Sequence, residues 1–278
     1  MAPILTLLTD FGTADYYVGA VKGTVLRLAP EARLVDLSHE VAPGDIEGAA
    51  DLLAAAAPAF PAGTVHLAVV DPGVGSERRI LVAAAGGQLL VAPDNGLLTP
   101  FLAAPAGAEA ARPPWRAWSV ERRELFLPSP GATFDGRDRF APVAAALLRG
   151  EEPERLGPRI EDPVRLPLAP PRRRETADEA LLEGRVVRVD RFGNLVTDLP
   201  AGWLEAGRLV AVEVAGREVR RRVGHYAELA PGEPGALTGS LGTVELSLPG
   251  DSLAERWRVA RGAPVRIVLR RSPGTPGA

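Results

Sequence analysis

The chain has 278 residues, 24% of them charged and 46% hydrophobic, with a formal charge of −3; this excludes a disordered polypeptide and suits one large globular domain or two modest ones. Acids slightly outnumber bases, which leaves no electrostatic footprint for duplex nucleic acid or an anionic membrane surface. There is no cysteine, so disulfides, zinc–thiolate sites, iron–sulfur clusters and thiol nucleophiles are excluded, and any chemistry must come from oxygen, nitrogen or imidazole.

Residues 4–8 form an apolar run with no basic segment before it, and Asp10 interrupts it too early for a secretion signal. A cytoplasmic protein is expected. The most apolar later stretch, residues 52–60, is broken by Pro58 and falls far short of the roughly 20 residues needed to cross a bilayer. The first 150 residues alternate short apolar runs with amphipathic ones, the rhythm of an α/β domain. Strands are predicted at 4–9, 33–37 and 65–70, and helices at 17–28 and 45–56. The runs 80–84 and 88–91, separated by Gly86-Gly87, predict a hairpin. A last helix over about 140–148 follows the polar turn Gly136-Arg137-Asp138 and stops at Gly150. These elements make up a domain over 1–157. Residues 158–178, rich in proline and arginine, read as a linker. Strand-like runs at 184–189, 209–214, 218–223, 243–248 and 265–269 then predict a small β-barrel or sandwich over 179–271, and 272–278 reads as a disordered tail.

Chemistry-bearing residues collect at the strand ends. Asp10, Asp36 and Asp71 close the first three predicted strands, and in an open α/β sheet ligands bind beyond the carboxyl ends of the strands. Carboxylates are therefore expected around one crevice, with Asp94 a further member. Aspartates at such places serve equally as turn and cap residues. Asp10-Phe11-Gly12-Thr13, followed by Asp15, sets two carboxylates beside a flexible glycine, a combination suited to hydroxyls or an ammonium. Lys22, two turns into the following helix, reads as a solvated or ion-paired residue.

Asp71-Pro72-Gly73-Val74-Gly75 carries a superficial Gly-x-Gly signature. No third glycine follows, and a strand comes next where a dinucleotide site needs a helix. What remains is Asp71 with Arg78 on one loop, able either to orient and partly deprotonate a water or to form a structural salt bridge. The only two asparagines, Asn95 and Asn194, both lie in glycine-flanked turns. Asp190-Arg191-Phe192-Gly193-Asn194 offers a ring to stack on a heterocycle and an amide to pair its edge, or else a plain Asx turn. His39, His66 and His225 lack ligand spacing, and 66 falls inside a strand. No metal is required by these residues.

Taken together, Leu7-Thr9-Asp10-Phe11-Gly12-Thr13 with Asp15, Asp36-Leu37-Ser38-His39, Val70-Asp71-Pro72-Gly73-Val74-Gly75, Ala92-Pro93-Asp94-Asn95-Gly96, Thr133-Phe134 through Phe140-Ala141-Pro142, and Asp190-Phe192-Gly193-Asn194 resemble the S-adenosyl-L-methionine (SAM) hydroxide adenosyltransferases. These are the SAM hydrolases once called domain of unknown function 62, related to the bacterial fluorinase and chlorinase. The resemblance implies an N-terminal α/β, sandwich-like domain with a mostly parallel central sheet and a smaller all-β C-terminal barrel. It implies a homotrimer, with SAM held between one subunit's N-terminal domain and its neighbour's C-terminal domain. Water would attack C5′ of SAM, releasing adenosine and L-methionine, with SAM as substrate and no cofactor.

By motif position, Asp10 would bind the ribose hydroxyls, and Asp15 with Asp190 the methionine ammonium. Phe192 and Asn194 would hold adenine, Tyr226 would add a second aromatic wall, and Ser240 would contact the amino-acid end. Phe11, Asp94 and Asn95 complete the candidate binding set. Asp71 and Arg78 match two members of the family's water-activating Asp–Arg–His set. The third differs: the family usually reads Thr-Phe-His-Gly-Arg-Asp, and this chain reads Thr133-Phe134-Asp135-Gly136-Arg137-Asp138. Asp135 still accepts a hydrogen bond from water, but two neighbouring carboxylates repel each other. The substitution implies a slower or pH-shifted hydrolase, or a homologue that binds SAM or adenosine with little turnover. Halide transfer is disfavoured, because an ionised Asp71 repels an anion.

Overall fold

A computed structural model describes residues 2–102 and 115–271. The expected tail at 272–278 lies outside the described residues. Two compact units divide the chain, Met1–Pro167 and Leu168–Ala278.

The first unit is built on a seven-stranded sheet: β1 (Ile4–Thr9), β2 (Arg33–Ser38), β3 (Val65–Val69), β4 (Ile80–Ala85), β5 (Gln88–Pro93), β6 (Arg116–Ser119) and β7 (Arg159–Ile160), in the order β2-β1-β3-β5-β4-β6-β7. Neighbours pair in parallel from β2 through β5, then antiparallel outward through β4, β6 and β7. The parallel strands are near-continuous apolar runs because both faces are covered. Along β1, Leu5 and Leu7 face one core with α1 (Tyr17–Leu28), and Leu8 faces another with α2 (Ile46–Ala56). The buried residues of α1, Val18, Val21, Thr24 and Val25, recur at helical spacing. Asp45 caps α2, its Oδ1 accepting from Gly48 N at 2.9 Å. In the β4–β5 hairpin Gly86 and Gly87 both take positive φ, as a two-residue turn of this kind demands.

α3 (Ala141–Leu148) is buried along its whole length and packs on the α1 side of the sheet. The predicted helix start at 140 is replaced by a π-helical turn over Gly136–Phe140 that feeds straight into α3. The segment read as a linker contains β7 and also β8 (Arg172–Glu175), which pairs along the second unit's sheet. Its four charged side chains sit at the surface, so apolar periodicity gives no hint of it.

The second unit comprises β8, β9 (Glu179–Val189), β10 (Leu195–Pro200), β11 (Arg208–Val214), β12 (Arg217–Val219), β13 (Gly235–Thr238), β14 (Thr243–Ser247), the short helix α4 (Leu253–Trp257) and β15 (Pro264–Arg270). The sheet runs β12-β11-β15-β9-β10-β14-β13, with β8 beside β9. Every strand pair is antiparallel. Its two ends meet through a parallel bridge between Arg222 and Ala236, which makes the unit barrel-like. The strand expected over 218–223 therefore stops at Val219. Beyond it the chain changes partner, Val223 N donating to Ala236 O at 2.9 Å.

Candidate active site

The parallel strands deliver their following loops to one edge of the first sheet. Asp10 Oδ2 accepts from Gly44 N at 2.8 Å, and a Cβ on Gly44 would lie 3.8 Å from Pro72 Cβ, so the loops after β1, β2 and β3 adjoin. Gly75, at φ +81°, passes so close to the 132–136 segment that a Cβ there would stand 2.9 Å from Ala132 O. The Phe11 ring packs edge-on to Phe134 at 6.1 Å and would sit 3.1 Å from a Cβ on Gly136.

At the centre of this edge lie Asp71, Arg78 and Asp135, with side chains 5%, 9% and 3% exposed. Arg78 Nε donates to Asp71 Oδ1 at 2.9 Å and Oδ2 at 2.7 Å, and its Nη2 contacts Asp71 and reaches Asp135 Oδ2 at 2.6 Å. Burial alone would lower the Arg78 pKa, but the two carboxylates hold it above the ordinary guanidinium range. The expected repulsion between the carboxylates is met by this interposed cation. Two bare unit charges 4 Å apart would cost about 4 kcal/mol at an effective dielectric constant of 20, and a cation between them reverses the sign. Arg78 Nη1 is buried and has no hydrogen-bond partner among the described residues. A buried donor without a partner costs on the order of 1–3 kcal/mol, which a ligand oxygen would recover. The cluster therefore offers one free donor beside fixed carboxylate acceptors, the arrangement that orients a water. Asp135 Oδ1 also meets Arg139 Nε at 3.0 Å.

Around this centre the structure separates site candidates by what their side chains hold. Asp36 is exposed and pairs with Lys22 at 2.6 Å and with His39 Nε2 at 3.1 Å, while His39 Nδ1 bonds Thr9 Oγ1 at 2.8 Å. Burial would raise the Asp36 pKa, but Lys22 and His39 hold it below the usual range. His39 also carries the Asp10 loop, accepting from Gly12 N at 2.8 Å through its carbonyl. Asp94 is buried and accepts from Arg79 Nε at 2.6 Å and from Val164 N at 2.7 Å. Asn95 Nδ2 donates to Val70 O at 2.9 Å, and so fixes the residue preceding Asp71. Asp15 accepts from Tyr16 N at 2.7 Å ahead of α1.

In the second unit Asp190 organises the turn between β9 and β10. Its Oδ1 accepts from Phe192 N and Asn194 N, and its Oδ2 from Asn194 Nδ2, each at 2.9 Å. Gly193, at φ +80°, is required here, because a Cβ would overlap Ser252. Asn194 is buried, whereas the Phe192 ring projects with 78% exposure. Tyr226 donates its hydroxyl to Glu245 Oε1 at 2.5 Å, and this bond, aided by burial, pushes the Tyr226 pKa up to about 12. Burial raises the Glu245 pKa against the pull of that bond. Val196 pairs with Glu245, so the strand leaving Asn194 runs beside the one carrying the Tyr226 partner. Ser240 lies exposed in the turn between β13 and β14. Sequence reasoning missed Glu245 and Arg139. An inward residue on a strand and an arginine four residues after an aspartate were the only signals available.

Residues 5–157 match the SAM hydroxide adenosyltransferase N-terminal domain, and residues 184–266 match the C-terminal domain. The chain belongs to the SAM hydroxide adenosyltransferase family. An (R)-S-adenosyl-L-methionine hydrolase of Thermus thermophilus is 42% identical over 281 residues, covering 96% of this chain and all of that one. Its namesake from Salinispora tropica is 40% identical, covering 95% and 97%. A crystal structure of an uncharacterized conserved protein from Thermotoga maritima superposes with a TM-score of 0.83 at 32% identity, over 95% of this chain and 99% of that one. No helix among the described residues is long and apolar enough to cross a membrane.

Proposed function

We propose that this protein hydrolyses SAM to adenosine and L-methionine, with a water held by Asp71, Arg78 and Asp135 attacking C5′ of the substrate. The observation carrying this reading is the buried Asp71–Arg78–Asp135 cluster with its unpartnered Arg78 Nη1 at the strand-end edge. The relatives named (R)-S-adenosyl-L-methionine hydrolases support the substrate class and point to the R sulfonium epimer as a form to test.

The chemistry asks little beyond placement. A water oxygen bonds C5′ as the C5′–S bond breaks, and the electron pair returns to sulfur. The leaving group is a neutral thioether, so no developing anion needs a metal, and the task reduces to in-line positioning of a desolvated water. One proton is released, taken first by a cluster carboxylate and then by solvent. Asp10 serves the ribose hydroxyls and Asp15 with Asp190 the ammonium, with Phe192, Asn194 and Tyr226 at adenine and Ser240 at the amino-acid end. Phe11 packs behind the Asp10 loop, while Asp94 and Asn95 act on the binding edge through Arg79, Val164 and Val70.

Asp71→Asn and Arg78→Ala are each expected to lower adenosine formation at least 100-fold while SAM still binds, measured by chromatography and calorimetry. Unchanged rates in both would remove the water site from this corner. The acid Asp135, where the motif resemblance implies a histidine, favours one second reading, a protein that binds SAM without turning it over. In that case SAM raises the melting temperature and no adenosine forms. The proposal includes a homotrimer, whose neighbouring copies complete one another's sites. Light scattering should give the mass of three chains, and a monomer at micromolar concentration would contradict it.

A further inference from the structure

The motif resemblance implies a histidine where this chain has Asp135, and the surroundings of Asp135 show what accompanies the acid. The carboxylate is 3% exposed, with one oxygen on Arg78 Nη2 at 2.6 Å and the other on Arg139 Nε at 3.0 Å. Arg139 lies four residues along the chain within the π-helical turn, and that spacing turns its side chain back onto Asp135. Its guanidinium also rests over the Phe126 ring at 5.7 Å, which limits its freedom. The charged groups facing Asp135 are Arg78 and, beyond it, Asp71 from the loop before β4, together with Arg139 from its own turn. The neighbouring Arg137 is engaged with Asp138, at 2.6 Å and 2.9 Å. With Arg139 the cluster holds two carboxylates and two guanidiniums, a formal sum of zero. Without it, a buried pair of carboxylates shares one cation.

We infer that Arg139 is a positioning residue for the water site, paired with Asp135 so that an aspartate works at this position beside Arg78. The inference rests on the hydrolase reading and deepens it. A neutral side chain at 135 would add no charge beside Asp71, whereas a buried aspartate adds a second carboxylate, which Arg139 pairs and holds toward Arg78. Arg139 does not touch the substrate in this scheme. It fixes the rotamer of Asp135 and balances its charge, while Arg78 stays free to offer Nη1.

The test is a double-mutant cycle with wild type, R139L, D135H and the double variant, plus R139K, each assayed for kcat and KM with SAM. R139L should lower kcat about tenfold or more with KM within twofold, and R139K should recover most of that loss by restoring the cation. In the D135H background, removing Arg139 should change kcat less than twofold. Equal losses in both backgrounds, or no recovery with lysine, would make Arg139 a merely structural residue and overturn the inference. Crystal structures of R139L and R139K judge the same point independently of turnover. The Asp135 carboxylate should leave Arg78 in R139L and keep it in R139K, and an unchanged contact in R139L would also overturn the inference. A wild type that makes no adenosine would instead fail the hydrolase reading, with the crystallographic comparison still deciding the role of Arg139.

Discussion

His66 occupies the middle of β3 with no exposed surface, its Nδ1 on Thr6 Oγ1 at 2.7 Å and the Phe60 ring edge-on at 5.7 Å. Burial pushes its pKa down to about 4. Since the unfolded chain titrates near 6.5, it binds the proton that the folded chain refuses between pH 6.5 and 4. Stability from this residue is complete above pH 6.5 and drains away as the pH falls toward 4, by about 2–3 kcal/mol. Urea unfolding of wild type and His66→Gln at pH 7 and pH 4.5 should show a smaller acid-dependent loss in the variant. Equal losses would place His66 outside this balance. At the same scale, residue types in the motifs were readable, but what each side chain holds was not. Asp94 could be an active-site acid or a turn residue from its position alone. Only the fold brings Arg79 and Val164 to its two oxygens and so assigns it to bracing the chain around residues 162–164. Asn95 likewise acts through Val70, one residue before Asp71. Lys22 was legible as ion-paired, and its partner, Asp36, waited for the β1–β2 pairing to bring it near.

Elements dominated by their own periodicity were legible to within a residue or two. β1, α1, α2 and the Gly86-Gly87 hairpin follow directly from apolar spacing and turn chemistry. Elements defined by a partner were not. β12 ends at Val219, short of the predicted 223, because the chain leaves β11 there and bridges to the β13 end of the sheet. β8 is a row of charged residues that exists as a strand because β9 supplies its hydrogen bonds. The π-helical turn before α3 is the most consequential of these. Such turns carry an extra residue per repeat, have no sequence signature, and recur at functional sites. Here one carries Arg139 four residues after Asp135 and brings its guanidinium onto the carboxylate that also meets Arg78.

Over the whole molecule, near-neutral charge and the absence of cysteine narrowed the chemistry to oxygen and nitrogen groups, and the topology then gathered those groups. Loops after three parallel strands and the segment before α3 converge because strands running the same way end at the same edge. The second unit carries a separate set built on an Asx turn and a tyrosine–glutamate bond. The architecture was legible from the order of the motifs, whereas the charge balance around Asp71, Arg78 and Asp135 was not, since it depends on four side chains from two segments. The central claim is that this balance aims a water at C5′ of SAM. It is tested most directly by incubating the protein with SAM in ¹⁸O-labelled water and analysing the products by mass spectrometry. Adenosine carrying ¹⁸O at its 5′ oxygen, with unlabelled methionine, is the predicted result; no adenosine, or adenosine without the label, would contradict it.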